Sequence, residues 1–219
     1  KKKGTRLKIV FFTIYLLFFN KYLLMFVKNI KNMNQPLNTW KEKWAQQPTL
    51  MMITVIIWSI FIGLCIQAGT LLFTFVYSFF KPTVAQDLYE GLNLYPLLQK
   101  DVWFYGGIGT LILSIAILKA QLFYTMIRIF LKIDLIHPFS KEISKLISTL
   151  SYIAFEIGFF LLITRGCVRW LTKRSFELEG LQSYLSGAFE YFLLSALIFA
   201  IAQVFKRGVE IQAENELTV

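Results

Sequence analysis

Four apolar stretches, residues 50–80, 102–132, 143–170 and 183–205, constrain this chain more than any other feature. Each reaches the roughly 20 residues that a helix needs to cross a bilayer. Hydrocarbon offers no water to a backbone N–H or C=O, so a stretch of this kind has to close its hydrogen bonds within itself, as a helix. The predicted fold class is therefore all-α, an integral membrane bundle of four transmembrane helices. Composition agrees: 56% of the 219 residues are hydrophobic, 22 are Phe and only 16% are charged, too apolar for a soluble domain of this size. The lipid bilayer is the first expected partner.

Charge sorts the remainder. The net charge of +10 invites a nucleic-acid reading, but residues 1–49 hold ten Lys and Arg against the single Glu42, while the rest of the chain holds thirteen basic and twelve acidic side chains. With no basic face on the body, no direct nucleic-acid binding is expected. Residues 1–32 begin cationic and turn apolar, as a leader does, yet Asn20 and Lys21 break the run and no small-residue cleavage site follows. Lys, Phe, Leu, Asn, Ile and Tyr supply 25 of these 32 residues, the mixture that unselected adenine- and thymine-rich DNA encodes. The expectation is a native start at Met33 or Met25; an extra hydrophobic helix over residues 9–27 is the alternative. Residues 33–49 read as a cytoplasmic interfacial segment, with Trp40 and Trp44 on one helical face beside Lys41 and Lys43.

Within the membrane domain, residues 50–219, the excess of Lys and Arg marks cytoplasmic connections. Arg128, Lys132, Lys141 and Lys145 between spans two and three read as inside, as do Lys206 and Arg207 after span four. The connection between spans one and two, with two Lys and three acids, reads as outside. Arg169, Lys173 and Arg174 lie where this topology requires the outer face and conflict with the rule. Both termini are expected in the cytoplasm of a bacterial inner-membrane protein. Span two is long enough to continue past the bilayer as an amphipathic helix. Pro138 then disfavours helix at His137, and Ser140 can cap the helix that follows.

Candidates for chemistry are few. Cys65 and Cys167 make neither a disulfide framework nor a metal cluster, and His137 is the only histidine. Phosphate loop, dinucleotide glycine pattern, nucleophile elbow and zinc helix are all missing from the sequence. No cofactor, no metal and no catalytic residue is expected. Glu156 is the sharpest intramembrane polar group, because an ionisable side chain in a span costs about 2.5–3.5 kcal/mol on insertion scales. Lys119 is its natural candidate partner, the alternative being that it snorkels to the inner surface; Glu190 lies at a depth to pair structurally with Arg165 or Arg169, and Gln67 can hydrogen-bond across helices. The pairs Ser59 and Gly63, Gly106 and Thr110, Ala116 and Ala120 have the spacing that lets helices approach closely.

Two polar motifs are more specific. "HPFSKE" before span three and "FKRGVEIQAENELTV" after span four together resemble a bacterial membrane protein family known as domain of unknown function 2975, over roughly residues 50–219. Pro138, Phe139 and Ser140 match the family's turn, with His137 in place of its usual Asn. Phe205, Gly208, Gln212, Glu214, Leu217 and Thr218 match its tail. The resemblance implies four membrane helices and no established reaction. It also implies a regulatory or stress-related role, since members are often encoded beside a small helix-turn-helix regulator.

Both motifs fall on the cytoplasmic side of the expected topology, so they can form one surface. On a helix continuing from span four, Ile201, Val204, Gly208 and Ile211 share a face, and Gly208 allows another helix to approach. The expected function is non-enzymatic: a cytoplasmic surface made from residues 137–142 and 205–219 that binds a protein partner, such as a helix-turn-helix regulator; a homo-oligomer is a separate expectation. The alternative is a small transporter or channel component using Glu156 with Lys119 and Gln67. A reporter fused at Ser175 tests the topology; it should be silent if it works only in the cytoplasm, and a cytoplasm-specific signal there would invert the assignment.

Overall fold

The computed structural model describes residues 48–133, 139–174, 178 and 181–216, so the expectations for residues 1–47 and for His137, Pro138, Leu217 and Thr218 lie outside the described residues. Its helices are α1, Pro48–Ser78; α2, Tyr95–Lys100; α3, Val102–Lys132; α4, Lys141–Thr172; α5, Leu181–Tyr184; and α6, Ala188–Glu216, with a 3-10 turn at Pro82–Gln86 between α1 and α2. No strand occurs among the described residues. Four of these helices, α1, α3, α4 and α6, are long and apolar enough to cross a membrane, so the chain is an all-α, multi-pass membrane protein.

The apolar window of α3 is 78% buried, whereas the windows of α1 and α6 are each 17% buried. A helix that is apolar on every side needs surroundings without water on every side. For α3 the surroundings are protein. The exposed apolar side chains of α1 and α6, among them Met52, Phe73, Phe189 and Val204, suit surroundings of lipid.

The chain divides into two compact units. In the first, comprising among described segments Gly63–Ala120 and Phe159–Ser186, every residue of α3 from 111 to 118 is buried. Close approach occurs at Gly109, where a Cβ would lie 2.1 Å from a ring carbon of Phe75. Ser78 Oγ and the fully buried Tyr105 hydroxyl are hydrogen-bonded beside it. The link between α1 and α2 has a core of its own in Ala85, Leu88, Leu92, Leu94 and Leu97. Glu90 and Gly91, with φ of 46° and 81°, make the tight turn that lets Leu92 N–H bond Tyr89 O at 3.0 Å. Positive φ at both central positions is the geometry of a type I′ turn. Thr74 Oγ1 donates to Leu88 O at 2.8 Å, tying this cap to α1. The sequence showed only a connection here.

The second unit takes in Gln121–Gly158 and Gly187–Val219 with the first half of α1, up to Ile62. Here α4 and α6 run antiparallel through a seam of small residues. Ser151 Oγ donates to Ser195 O at 3.1 Å and Ser195 Oγ donates to Ser151 O at 3.0 Å. One heptad along, Gly158 meets Ala188 O. The same register sets Ser144 opposite Ala202, which packs with its neighbours Ile143 and Ile147. A seven-residue repeat of small side chains keeps one seam facing its partner along slightly supercoiled helices.

One boundary differs from expectation. The last span begins at Ala188 and not near 183, because Gly187 at φ 94° breaks the chain direction after the short α5. The helix continues past span four, as far as Glu216; nothing in "KRGVEIQAENE" stops a helix except Gly208, which the helix passes through. Of the small-residue pairs, Ala116 and Ala120 are buried, whereas Ser59 and Gly63 are exposed and a Cβ on Gly63 would touch nothing within 4 Å. Gly109→Ala should lower stability by about 1–3 kcal/mol through collision with Phe75. Gly106→Ala, with nothing within 4 Å, should be neutral or stabilising by up to about 1 kcal/mol, both read by reversible unfolding in mild detergent.

Candidate functional site

The turn before α4 is built by its cap. Ser140 Oγ accepts the Ile143 N–H at 3.2 Å, satisfying one of the donors that the first turn of a helix leaves open. Glu142, in that first turn, forms an ion pair with Lys132 at the end of α3. The acid also sits favourably at the positive end of the helix dipole. With Glu142 mostly exposed, the pair fixes geometry more than it adds stability.

This cap aims Phe139 at α6. Its ring lies 5.4 Å from the Phe205 ring, tilted by 59°, and covers Gly208, where a Cβ would come within 2.5 Å of the Phe139 ring. Beneath them Ile143, Ile147 and Ala202 form a buried cluster, with Ile129, Ile133, Ile198 and Phe205 packed against it. The two sequence motifs are therefore in physical contact. The close approach at Gly208 is made by an aromatic ring and not by a helix backbone, because the inward face of α6 runs through Ile198, Ala202 and Phe205. Ile201, Val204 and Ile211, which share a face with Gly208 on the helical wheel, are exposed. Gly208 lies at the border between those faces, and the ring occupies the missing side chain's place.

Past this junction α6 carries Lys206, Arg207, Glu210 and Glu214 on its exposed surface and Gln212 half-buried. Arg207 and Glu210 form an ion pair at 2.9 Å, three residues apart and exposed on both sides, worth a few tenths of a kcal/mol. Gln212 and Glu214 each have an interaction partner.

The intramembrane polar candidates fall in both units. Gln67 Nε2 donates to the Tyr184 hydroxyl at 3.0 Å in the first unit, so α5 takes up its side-chain donor. Burial pushes the Tyr184 phenol above its ordinary range; the bond from Gln67 opposes that shift, and the nearby Tyr89 and Glu90 reinforce it. Lys119 is half-buried in the same unit. Glu156 is half-buried in the second unit and has an interaction partner of its own. Among the described residues no three His, Cys, Asp or Glu side chains converge as a metal site requires.

Sequence reasoning missed the serine clasp between α4 and α6. Its signal was present as small residues at 144, 151 and 158 and at 188, 195 and 202, a spacing of seven that a search at spacing four passes over.

A multi-pass helical membrane protein with a capped turn seated on a glycine of its last helix is the class that these features define. The model of the family described as a protein of unknown function, DUF2975, matches residues 93–219, and the chain belongs to that family. The match includes both motifs, α3, α4 and α6, and begins after α1. Neither a curated protein nor a solved structure matches the chain.

The Phe139 seat makes a coupled pair. Gly208→Ala should cost about 1–3 kcal/mol in an otherwise unchanged chain and far less in a Phe139→Ala background. A double-mutant cycle with additive effects would show that the ring does not rest on Gly208.

Proposed function

We propose that the chain is a non-enzymatic protein of the bacterial inner membrane that presents the junction of the residue 137–142 turn and the residue 205–219 segment to a cytoplasmic protein partner. The observation that carries this reading is the seating of Phe139 on Phe205 and Gly208. It joins two separate motifs into one surface. With 29 residues α6 is about 44 Å long, against a hydrocarbon thickness of about 30 Å. Its last turns, with exposed Lys206, Arg207, Glu210 and Glu214, have length to stand among headgroups and in water. Lys132, Lys141, Lys145, Lys206 and Arg207 favour the cytoplasm for that end.

A regulatory partner suits such a surface, because among the described residues the junction offers an aromatic edge at Phe139 and exposed charges of both signs at Lys206, Arg207, Glu210 and Glu214. The test separates the seat from what lies beyond it. A photocrosslinking side chain at position 210 should trap one discrete cytoplasmic protein in living cells. Truncation after Ile211 leaves Phe205 and Gly208 in place and should keep membrane insertion and abundance while abolishing that crosslink. An undiminished crosslink in the truncated protein would contradict the proposal.

A further inference from the structure

The other end of α4 carries positive charge that the junction does not use. Arg165, Arg169 and Lys173 follow one another at intervals of four residues, which on a helix places them on one side at steps of about 6 Å. Among the described residues no carboxylate forms an ion pair with any of the three. Arg165 is half-buried and its Nε is buried with no hydrogen-bond partner. The helix dipole accounts for Arg169 in the last turn. It does not account for Arg165, about 10 Å before the helix end at Thr172.

The surface beside Arg165 has an opening. Gly166 is exposed and a Cβ there would meet nothing within 4 Å, so the outward face of α4 has a notch between Leu162, which is exposed, and the next turn at Arg169 and Trp170. Aromatic rings mark the level of the membrane interface at this end. Trp170 packs edge to face against Phe104, Arg174 holds its guanidinium 3.9 Å from the Trp170 ring centroid, and Trp103 is exposed beside Phe104. An apolar flank below, cations at the notch and an aromatic belt above repeat the order of a phospholipid: acyl chain, phosphate, headgroup.

We propose that Arg165 and Arg169, across the notch at Gly166, bind the phosphodiester of an anionic phospholipid in the leaflet at this end of α4. The planar guanidinium fork matches two phosphate oxygens at once, and a lipid phosphate supplies the counter-charge that a cation below the interface requires. Leu162 lies under the acyl chain and Lys173 stands at the headgroup. This assignment is independent of the partner surface at the opposite end of α4. It also gives the cations at 165–173 a role that does not depend on orientation, so they need not report which side of the membrane they face.

The test uses the full chain purified in mild detergent, offered equal phosphatidylglycerol and phosphatidylcholine, with bound lipid counted by native mass spectrometry. The expected result is preferential retention of phosphatidylglycerol, reduced about tenfold in Arg165→Gln/Arg169→Gln, a loss equivalent to about 1.4 kcal/mol. Gly166→Leu fills the notch and keeps every charge, its Cβ meeting nothing within 4 Å, and should reduce retention likewise; it carries the test if the double variant fails to fold. Lys206→Gln/Arg207→Gln, which removes two cations without touching the notch, should reduce retention far less. Equal retention of both lipids, retention unaffected by Gly166→Leu, or loss only in Lys206→Gln/Arg207→Gln would overturn the proposal. Displacement of phosphatidylglycerol by millimolar inorganic phosphate would assign the site to a free anion and overturn the lipid assignment.

Discussion

Helices in lipid have no hydrophobic force drawing them together, since a leucine loses nothing by facing an acyl chain. What remains is close contact, and in this protein close contact depends on small residues. The reciprocal bonds of Ser151 and Ser195 show the dependence most directly. A hydroxyl reaches the facing backbone carbonyl only where neither helix has a larger side chain in the way, and each such bond is worth about 0.6 kcal/mol in membrane proteins. Gly158 against Ala188 and Ala202 against Ile143 and Ile147 extend that approach along the seam.

The junction at Phe139 follows from the same constraint. With α4 and α6 held together by the seam, the start of α4 is carried to the part of α6 that contains Phe205 and Gly208. A ring then fills the space that a missing side chain leaves. This economy explains why a turn and a helix more than sixty residues later share one sequence signature. Each half of the signature is the other's packing surface.

Polar groups divide according to what surrounds them. Tyr184 takes the Gln67 amide at the foot of a connection with its own apolar core, so Gln67 has a structural engagement ready to hand. Lys119 and Glu156 lie on α3 and α4, helices whose apolar windows are more than half buried, where a polar side chain is held by protein more than by lipid. The arginines near the end of α4 differ, because their side of the helix is exposed at Gly166, Arg169 and Trp170. There the surrounding medium is the interface, and its phosphates are the counter-ions on offer.

Four membrane-crossing helices, the all-α class, the cap at Ser140 and the family were determined by the sequence itself, because length of apolar run, a serine before a helix and two polar motifs are local properties. The continuation of α6 to Glu216 was half legible, since nothing in residues 206–216 breaks a helix. Tertiary structure decided which faces meet. Gly109 is crowded and Gly106 is not, though both sit in "GGIG"; Ser59 and Gly63 face outward while Ser151 and Ser195 face each other; and Gly208 receives a ring, not a helix. Apolar residues surround all four spans, so hydropathy carries no mark of inside and outside in this chain. Only the register between helices, set by the sizes of side chains that touch, distinguishes a packing face from a lipid face.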